Sequence, residues 1–148
     1  MDTLQDLRQD LQKVARQIES IQSAAHYCEY GDLSWLDVNT QDGESLFLWD
    51  ELRGIMDKLD RVRGDIEYLA LPIAETGRLR RNSRDRYELP SGYEFTSGSG
   101  IEVLLSDDWH DVPYWSAGAI EHDGNDYYFT GARDMPLDGA TVRRRGRK

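Results

Sequence analysis

The chain has 148 residues, of which 39% are hydrophobic and 31% charged, and its formal net charge at pH 7 is −10. This length fits one domain or two small ones, and the negative charge disfavours general binding to phosphate backbones. The longest apolar run, Tyr68 to Ala74, is far shorter than the about 20 residues of a membrane-spanning helix. A single cysteine, Cys28, forms no internal disulfide, and the first residues do not resemble a signal peptide, so we expect a cytoplasmic protein.

Two stretches in the first half of the chain repeat apolar residues at alternating spacings of three and four. This heptad pattern predicts amphipathic helices over residues 2–25 and 45–70, with Pro72 as the stop signal. The apolar positions, named here the heptad stripe, are Leu4, Leu7, Leu11, Val14, Ile18, Ile21 and Ala25 on the first helix and Leu48, Leu52, Ile55, Leu59, Val62, Ile66 and Leu69 on the second. Two such helices fold back most simply as an antiparallel, coiled-coil-like hairpin, which we predict as a domain over residues 1–73.

A hairpin that buries one narrow stripe on each helix is marginally stable by itself. It needs the second half of the chain, a second copy or a target protein against its other apolar residues, which are Phe47, Trp49, Met56 and Tyr68. We therefore expect a homodimer or a complex with a protein partner.

The link between the helices, residues 26–44, mixes aromatic with acidic side chains. This is typical of a recognition loop, because Tyr and Trp dominate the energetics of interfaces. The candidate partner-binding residues in the link and at the start of the second helix are Tyr27, Tyr30, Trp35, Asp37 and Trp49. In the alternative interpretation, Trp35 and Leu36 plug the open end of the hairpin.

After Pro72 the apolar period changes from about 3.5 to two, which predicts a β domain over residues 74–148 that ends in a basic tail. The predicted strands cover residues 77–81, 86–89, 92–96, 101–105, 114–121, 126–130 and 140–145. Short strands joined by Gly, Asn and Asp turns suggest a small antiparallel barrel of the SH3-like kind. The predicted fold class is therefore α+β.

Several acidic and aromatic residues of the predicted β domain are further candidates for binding a partner: Glu102, Asp107, Asp108, Trp109, Asp111 and Glu121. His110 and His122 lie beside some of these acids, but in separate loops and without the spacing of a metal site. No phosphate loop and no pair of nucleophile and base is visible. The sequence therefore predicts no metal, no cofactor and no catalytic residue.

Two clusters of arginines support a nucleic-acid-binding alternative. The first cluster is Arg78, Arg80, Arg81, Arg84 and Arg86, and the second is Arg143, Arg144 and Arg145 with Arg147 and Lys148. They could reverse the acidic charge locally, while exposed aromatic rings stack on bases. A third hypothesis is a small-molecule-binding or nucleotide-sequestering protein, in which Trp109, Trp115, Glu102 and Glu121 line a pocket.

The segment from Gly77 to Gly131 resembles a small bacterial domain family of unknown function. The resemblance rests on Gly77-Arg-Leu-Arg-Arg-Asn, Arg86-Tyr-Glu-Leu, Thr96-Ser-Gly-Ser-Gly-Ile-Glu-Val and Ala119-Ile-Glu-His-Asp-Gly-Asn-Asp-Tyr-Tyr-Phe. That family is common in Gram-positive bacteria, their phages and their mobile elements, and it has no established catalytic residues. The resemblance implies an accessory protein of a mobile element, a class that includes inhibitors of host defence systems.

Together these patterns predict a non-enzymatic protein-interaction module. Its acidic surface would compete for an Arg- and Lys-lined groove, such as that of a CRISPR-type or other defence nuclease.

Overall fold

The structure, a computed structural model, describes residues 2–27 and 33–146. The predicted partner-binding residue Tyr30 lies outside these residues, as do Cys28, Arg147 and Lys148. The chain divides into two compact units, Met1–Ala70 and Leu71–Lys148, called unit 1 and unit 2 below. In the described residues, helices are followed by antiparallel strands, which confirms the predicted α+β class.

Unit 1 contains two long helices, α1 (Leu4–Ala24) and α2 (Gly43–Ala70). At the start of α1, the Thr3 hydroxyl accepts a hydrogen bond from the amide of Asp6, and the Asp6 carboxylate accepts one from the amide of Thr3. This reciprocal pair is a capping box, which satisfies amides that the first turn leaves free. Asp42 caps α2 through the amide and hydroxyl of Ser45. Within the described part of the chain, neither helix combines the length and apolar character needed to span a bilayer.

The two helices run antiparallel, as the predicted hairpin requires. At one end the Arg8 guanidinium donates to the Leu69 carbonyl at 3.3 Å. Nearer the link, the Gln22 amide donates to the Asp60 carboxylate at 2.9 Å, and the Tyr27 hydroxyl donates to Asp57 at 2.5 Å. The beginning of α1 therefore lies beside the end of α2.

The contact between the helices includes only part of the heptad stripe. On α1 the buried residues are Ala15, Ile18 and Gln22, and on α2 they are Met56 and Ile66. Gln22 is fully buried because its amide group is satisfied by Asp60 and Arg63, so a polar residue occupies a contact position that the apolar pattern did not mark. Ile18 and Ile66 alone among the heptad-stripe residues are buried in this contact.

Unit 2 has eight strands in its described residues. They are β1 (Ile73–Arg78), β2 (Arg80–Arg81), β3 (Tyr87–Glu88), β4 (Glu94–Phe95), β5 (Gly100–Leu105), β6 (Tyr114–His122), β7 (Tyr127–Phe129) and β8 (Thr141–Arg145). Five of them form an antiparallel sheet in the order β1-β8-β5-β6-β7, and the other three form a second sheet in the order β2-β3-β4. Side chains from both sheets fill one core, whose fully buried members include Phe95, Ile101, Val103, Phe129 and Val142.

The strands do not close into a barrel, so the predicted SH3-like barrel is not confirmed. Between β1 and β2 the amide of Leu79 donates to the Ala140 carbonyl. The three strands of the second sheet have only two residues each and pair with one another. Such short strands cannot supply the continuous ladder that a closed barrel needs.

Candidate interaction surfaces

The loop between β5 and β6, residues 106–113, is built around one carboxylate and is named here the Asp107 loop. The carboxylate of Asp107 accepts hydrogen bonds from the amides of Trp109 and His110, both at 2.9 Å. It also accepts one from the Tyr114 hydroxyl at 2.7 Å and contacts the Nδ1 atom of the His110 ring at 2.7 Å. The His110 ring stacks on Tyr114 with centroids 3.9 Å apart. Asp107 therefore ties the loop to the start of β6.

These contacts favour the ionised form of Asp107. The hydrogen bond from His110, followed by that from Tyr114, lowers the pKa of Asp107 to about 2. The carboxylate therefore keeps its negative charge, and with it its hydrogen bonds, throughout the physiological pH range.

The Asp107 loop presents a tryptophan to solvent. The Trp109 side chain is 91% exposed and that of Val112 is 68% exposed. Asp108 and Asp111, in the same loop, have exposed carboxylates. Trp is rarely left in water to this extent, and a buried Trp is among the strongest contributors to protein interfaces. Four of the predicted partner-binding residues thus share one loop.

A shallow groove of about 420 Å³ lies beside the Asp107 loop. It is lined by Leu104, Leu105, Ser106, Asp107, Tyr114, Gly131, Ala132 and Met135. Its apolar lining residues offer a partner a place to insert a side chain. The groove is not lined by Trp109, Trp115, Glu102 or Glu121, the residues predicted to form a small-molecule pocket.

Glu102, also predicted to bind a partner, is instead buried within unit 2. Its carboxylate accepts hydrogen bonds from Arg143 at 2.8 Å and from Arg145 at 2.5 Å, and its side chain is 5% exposed. The Arg143 guanidinium in turn lies 4.2 Å from the centroid of the Trp115 ring. Glu102 therefore holds β5 and β8 together.

Glu121, another predicted partner-binding residue, lies on β6 and is half-buried opposite Tyr128 of β7.

Carboxylates of unit 2 neutralise most of the first arginine cluster. Arg84 and Arg86 both bind Glu94, at 2.6 and 2.7 Å, and Arg80 binds Glu88 at 2.8 Å. Arg81 lies 3.4 Å from Asp85.

In the second cluster, Arg143 and Arg145 share Glu102, and Arg144 stacks on the Tyr93 ring at 4.0 Å. Arg78 is exposed on β1. Sequence alone did not reveal this pairing, which leaves little positive charge for phosphates.

The pKa of Glu94 provides a pH test of this pairing. Hydrogen bonds from Arg86 and then Arg84 lower the pKa of Glu94 from 4.5 to about 2. A carboxylate whose pKa falls on folding stabilises the fold above its unfolded pKa and loses that effect as the pH falls through the folded value. We expect Glu94→Gln to be less stable than wild type above about pH 4.5, with a difference that shrinks towards pH 2. Urea unfolding midpoints of both proteins across this range measure it, and a difference that does not depend on pH would contradict the pairing.

The link and the start of α2 contain the remaining candidates. Tyr27 is buried with Leu33 and Met56, and Trp49 packs against this cluster, so these residues close the end of the hairpin. Trp35 and Leu36 are 59% and 42% exposed, so they do not plug it as the alternative interpretation proposed. The Trp35 ring lies 4.4 Å from that of His26, and Asp37 is exposed.

His110 and His122 have local partners. His110 belongs to the Asp107 loop, and the His122 ring accepts a hydrogen bond from the amide of Gly124 at 3.0 Å. Among residues 2–27 and 33–146, no group of three or more His, Cys, Asp or Glu side chains could hold a metal ion.

Comparison with known proteins bears on unit 2. The search found no match among curated proteins and none among solved structures. Residues 77–144 match the model of a family described as a domain of unknown function (DUF5348). This part of the chain is therefore similar to a domain family of unknown function, as the motifs from Gly77 to Gly131 predicted.

Proposed function

We propose that this chain is a non-enzymatic protein-interaction module that binds a partner through the Asp107 loop. The observation that carries the proposal is Trp109, which is 91% exposed on a loop that Asp107 holds in place. A loop ordered before binding loses little conformational entropy when it docks. Burying the Trp109 indole on an ordered loop therefore contributes more to the binding free energy than burying the same side chain on a mobile loop.

The surroundings of Trp109 define the chemistry of the partner. The exposed carboxylates of Asp108 and Asp111 lie close to Trp109 in the sequence, and the chain as a whole carries −10. A complementary surface is an apolar pocket rimmed by Arg and Lys. Nucleases present such basic surfaces to nucleic acids, so occlusion of a defence nuclease is the specific form of the proposal. The resemblance to a family found in phages and mobile elements supports this form.

The nucleic-acid-binding alternative is second, because most of the arginines predicted for it are ion-paired within unit 2. A gel-shift experiment with single- and double-stranded DNA and RNA at about 50 mM salt tests it, since phosphate contacts are strongest at low salt. We expect no shift. A shift lost in Arg78→Ala would favour this alternative over the proposal.

Comparative affinity capture tests the proposal itself. Immobilised wild type, Trp109→Ala and the control Trp35→Ala are each exposed to extract of the source cells, and captured proteins are quantified. Truncating a central Trp costs about 2 kcal/mol or more, which is about 30-fold in affinity. We expect at least one protein to be retained by wild type and by Trp35→Ala but lost from Trp109→Ala.

The salt dependence of capture separates charge complementarity from apolar adhesion. Retention of that protein should fall between about 50 and 500 mM salt, because screening weakens contacts between opposite charges. Equal capture by wild type and Trp109→Ala at every salt concentration would contradict the proposed role of the Asp107 loop.

A further inference from the structure

The heptad stripe leaves a long series of apolar side chains exposed on the two helices of unit 1. Ten of its members are 38–85% exposed: Leu4, Leu7, Leu11, Val14, Ile21, Leu48, Leu52, Ile55, Val62 and Leu69. They keep the regular three-four spacing that helices use to pack against one another. The contact between α1 and α2 accounts for only part of this spacing, because it buries Ile18 and Ile66 but leaves these ten residues exposed.

The stripe lies on the same side of both helices. On α1 its residues precede the contact residues by one position, as Val14 precedes Ala15 and Ile21 precedes Gln22. On α2 Ile55 precedes Met56 in the same way. One residue is a rotation of about 100°, and in an antiparallel pair the same rotation on each helix turns both stripes to one face.

A groove in unit 1 shows this convergence directly. It is lined by Leu4, Leu7 and Leu11 from α1 and Leu69 from α2, with Gln5 and Arg8 beside them. At this end of the hairpin the two halves of the stripe therefore line one groove.

The area of this surface matches that of a dimer interface. Transfer data imply that fully burying one Leu, Ile or Val side chain removes about 60–120 Å² of apolar surface from water. Ten such side chains, about half exposed on average, offer roughly 300–600 Å² per copy. A standard homodimer interface buries about 800 Å² per partner, about 65% of it apolar, which is about 500 Å².

We propose that the heptad stripe is a homodimer interface through which two copies of the hairpin assemble as a four-helix bundle. The partner that covers the stripe is a second copy of the chain. A two-fold axis places each stripe against an identical one, so the two apolar surfaces have the same length and the same heptad spacing. The same three-four spacing on facing helices produces the packing of four-helix bundles. This interface belongs to unit 1, whereas the Asp107 loop belongs to unit 2, and the inference does not depend on the proposed partner.

The charge of unit 1 gives the assembly a distinctive salt dependence. Residues 1–70 carry seven Lys and Arg against fifteen Asp and Glu, a net charge of −8. Two such units repel each other, and salt screens the repulsion while leaving apolar contacts in place. The dimer therefore tightens with salt, whereas binding of a basic partner weakens.

The test compares full-length variants by sedimentation equilibrium. Leu11→Gln combined with Ile55→Gln removes two members of the stripe from each copy while keeping charge and helix propensity. The control is Leu46→Gln, because Leu46 is 39% exposed but lies nine residues before Ile55, on the opposite side of α2. We expect dimers for wild type and control and a dissociation constant about 100-fold higher for the double variant, since four half-exposed aliphatic groups are lost per dimer. Circular dichroism checks that the double variant keeps its helices.

Three outcomes would overturn the inference. They are a monomeric wild type at about 100 μM, an assembly larger than two copies, and dissociation of the control to the same extent as the double variant. Because the mass of wild type decides the first two, the inference stays testable even if the double variant fails to fold. Trp109→Ala should remain dimeric, which distinguishes failure of this inference from failure of the proposed function.

Discussion

Glu102→Ala is expected to destabilise unit 2 by about 3–5 kcal/mol, the range measured when one partner of a buried ion pair is removed. The carboxylate binds two arginines, Arg143 and Arg145, whose side chains are only 18% and 15% exposed. Without it, two guanidinium groups of like charge remain half-buried, and neither can regain full hydration without moving away from Trp115 or the Leu71 carbonyl. The loss in the free energy of unfolding therefore comes from two unpaired charges as well as from the lost hydrogen bonds.

Hydrogen exchange of the full chain measures this loss. Amides in β5 and β8 should exchange faster in Glu102→Ala by a factor that corresponds to the lost stability, while those in α1 serve as the internal reference. The matched control is Glu121→Gln on the adjacent strand, since no cation in the described residues forms an ion pair with Glu121. This control should change the free energy of opening, as measured by exchange, by less than about 0.5 kcal/mol. Exchange in β5 that is as slow in Glu102→Ala as in wild type would show that the buried pair contributes nothing.

Gly118→Ala is expected to destabilise unit 2 by about 1–3 kcal/mol through overpacking. A Cβ atom at Gly118 would lie 2.6 Å from Cε1 of Phe129 and 2.8 Å from the Thr130 hydroxyl. Phe129 is fully buried, so its ring cannot move without disturbing the core. The Thr130 hydroxyl also accepts a hydrogen bond from the amide of Ala119.

Urea unfolding of Gly118→Ala and of Gly100→Ala separates steric crowding from the general effect of replacing glycine in a strand. Gly100 pairs with Ala119 of β6, and a Cβ atom there would meet nothing within 4 Å. Gly100→Ala should therefore be neutral or slightly stabilising, because Ala restricts the unfolded chain. Equal effects of the two variants would contradict the close packing of Phe129 against β6.

The helices and their ends could be predicted from sequence because local signals determine them. The heptad spacing and the stop at Pro72 led to helices over residues 2–25 and 45–70, against Leu4–Ala24 and Gly43–Ala70 in the structure. The contact face could not be predicted. Gln22 is polar, and its burial depends on Asp60 and Arg63 of the other helix, which no local pattern reveals.

The same distinction holds in unit 2. The period of two after Pro72 places Tyr87, Leu89, Tyr93, Phe95, Ile101 and Val103 on one face of the predicted sheet. All are in the core except Tyr93, which is 41% exposed. The barrel prediction failed because closure depends on which strands pair, and β2, β3 and β4 pair only among themselves. Short strands with tight turns occur in open sheets as well as in barrels.

The candidate site was predicted in part. Asp107, Asp108, Trp109 and Asp111 were identified by composition, but the role of Asp107 as the organiser of the loop was missed. The available signal was an Asp two and three residues before the amides it binds, which is typical of side-chain-mediated turns. Glu102 was misjudged as a surface residue because its arginine partners lie about forty positions later in the chain, a distance at which sequence patterns give no pairing.

Sedimentation velocity of the wild-type chain at about 50 and 500 mM salt tests most directly whether unit 1 is an assembly surface. The account predicts a dimer of the 17.1 kDa chain whose population rises at the higher salt concentration. A chain that stays monomeric under both conditions, or a dimer that dissociates as salt is added, would contradict it.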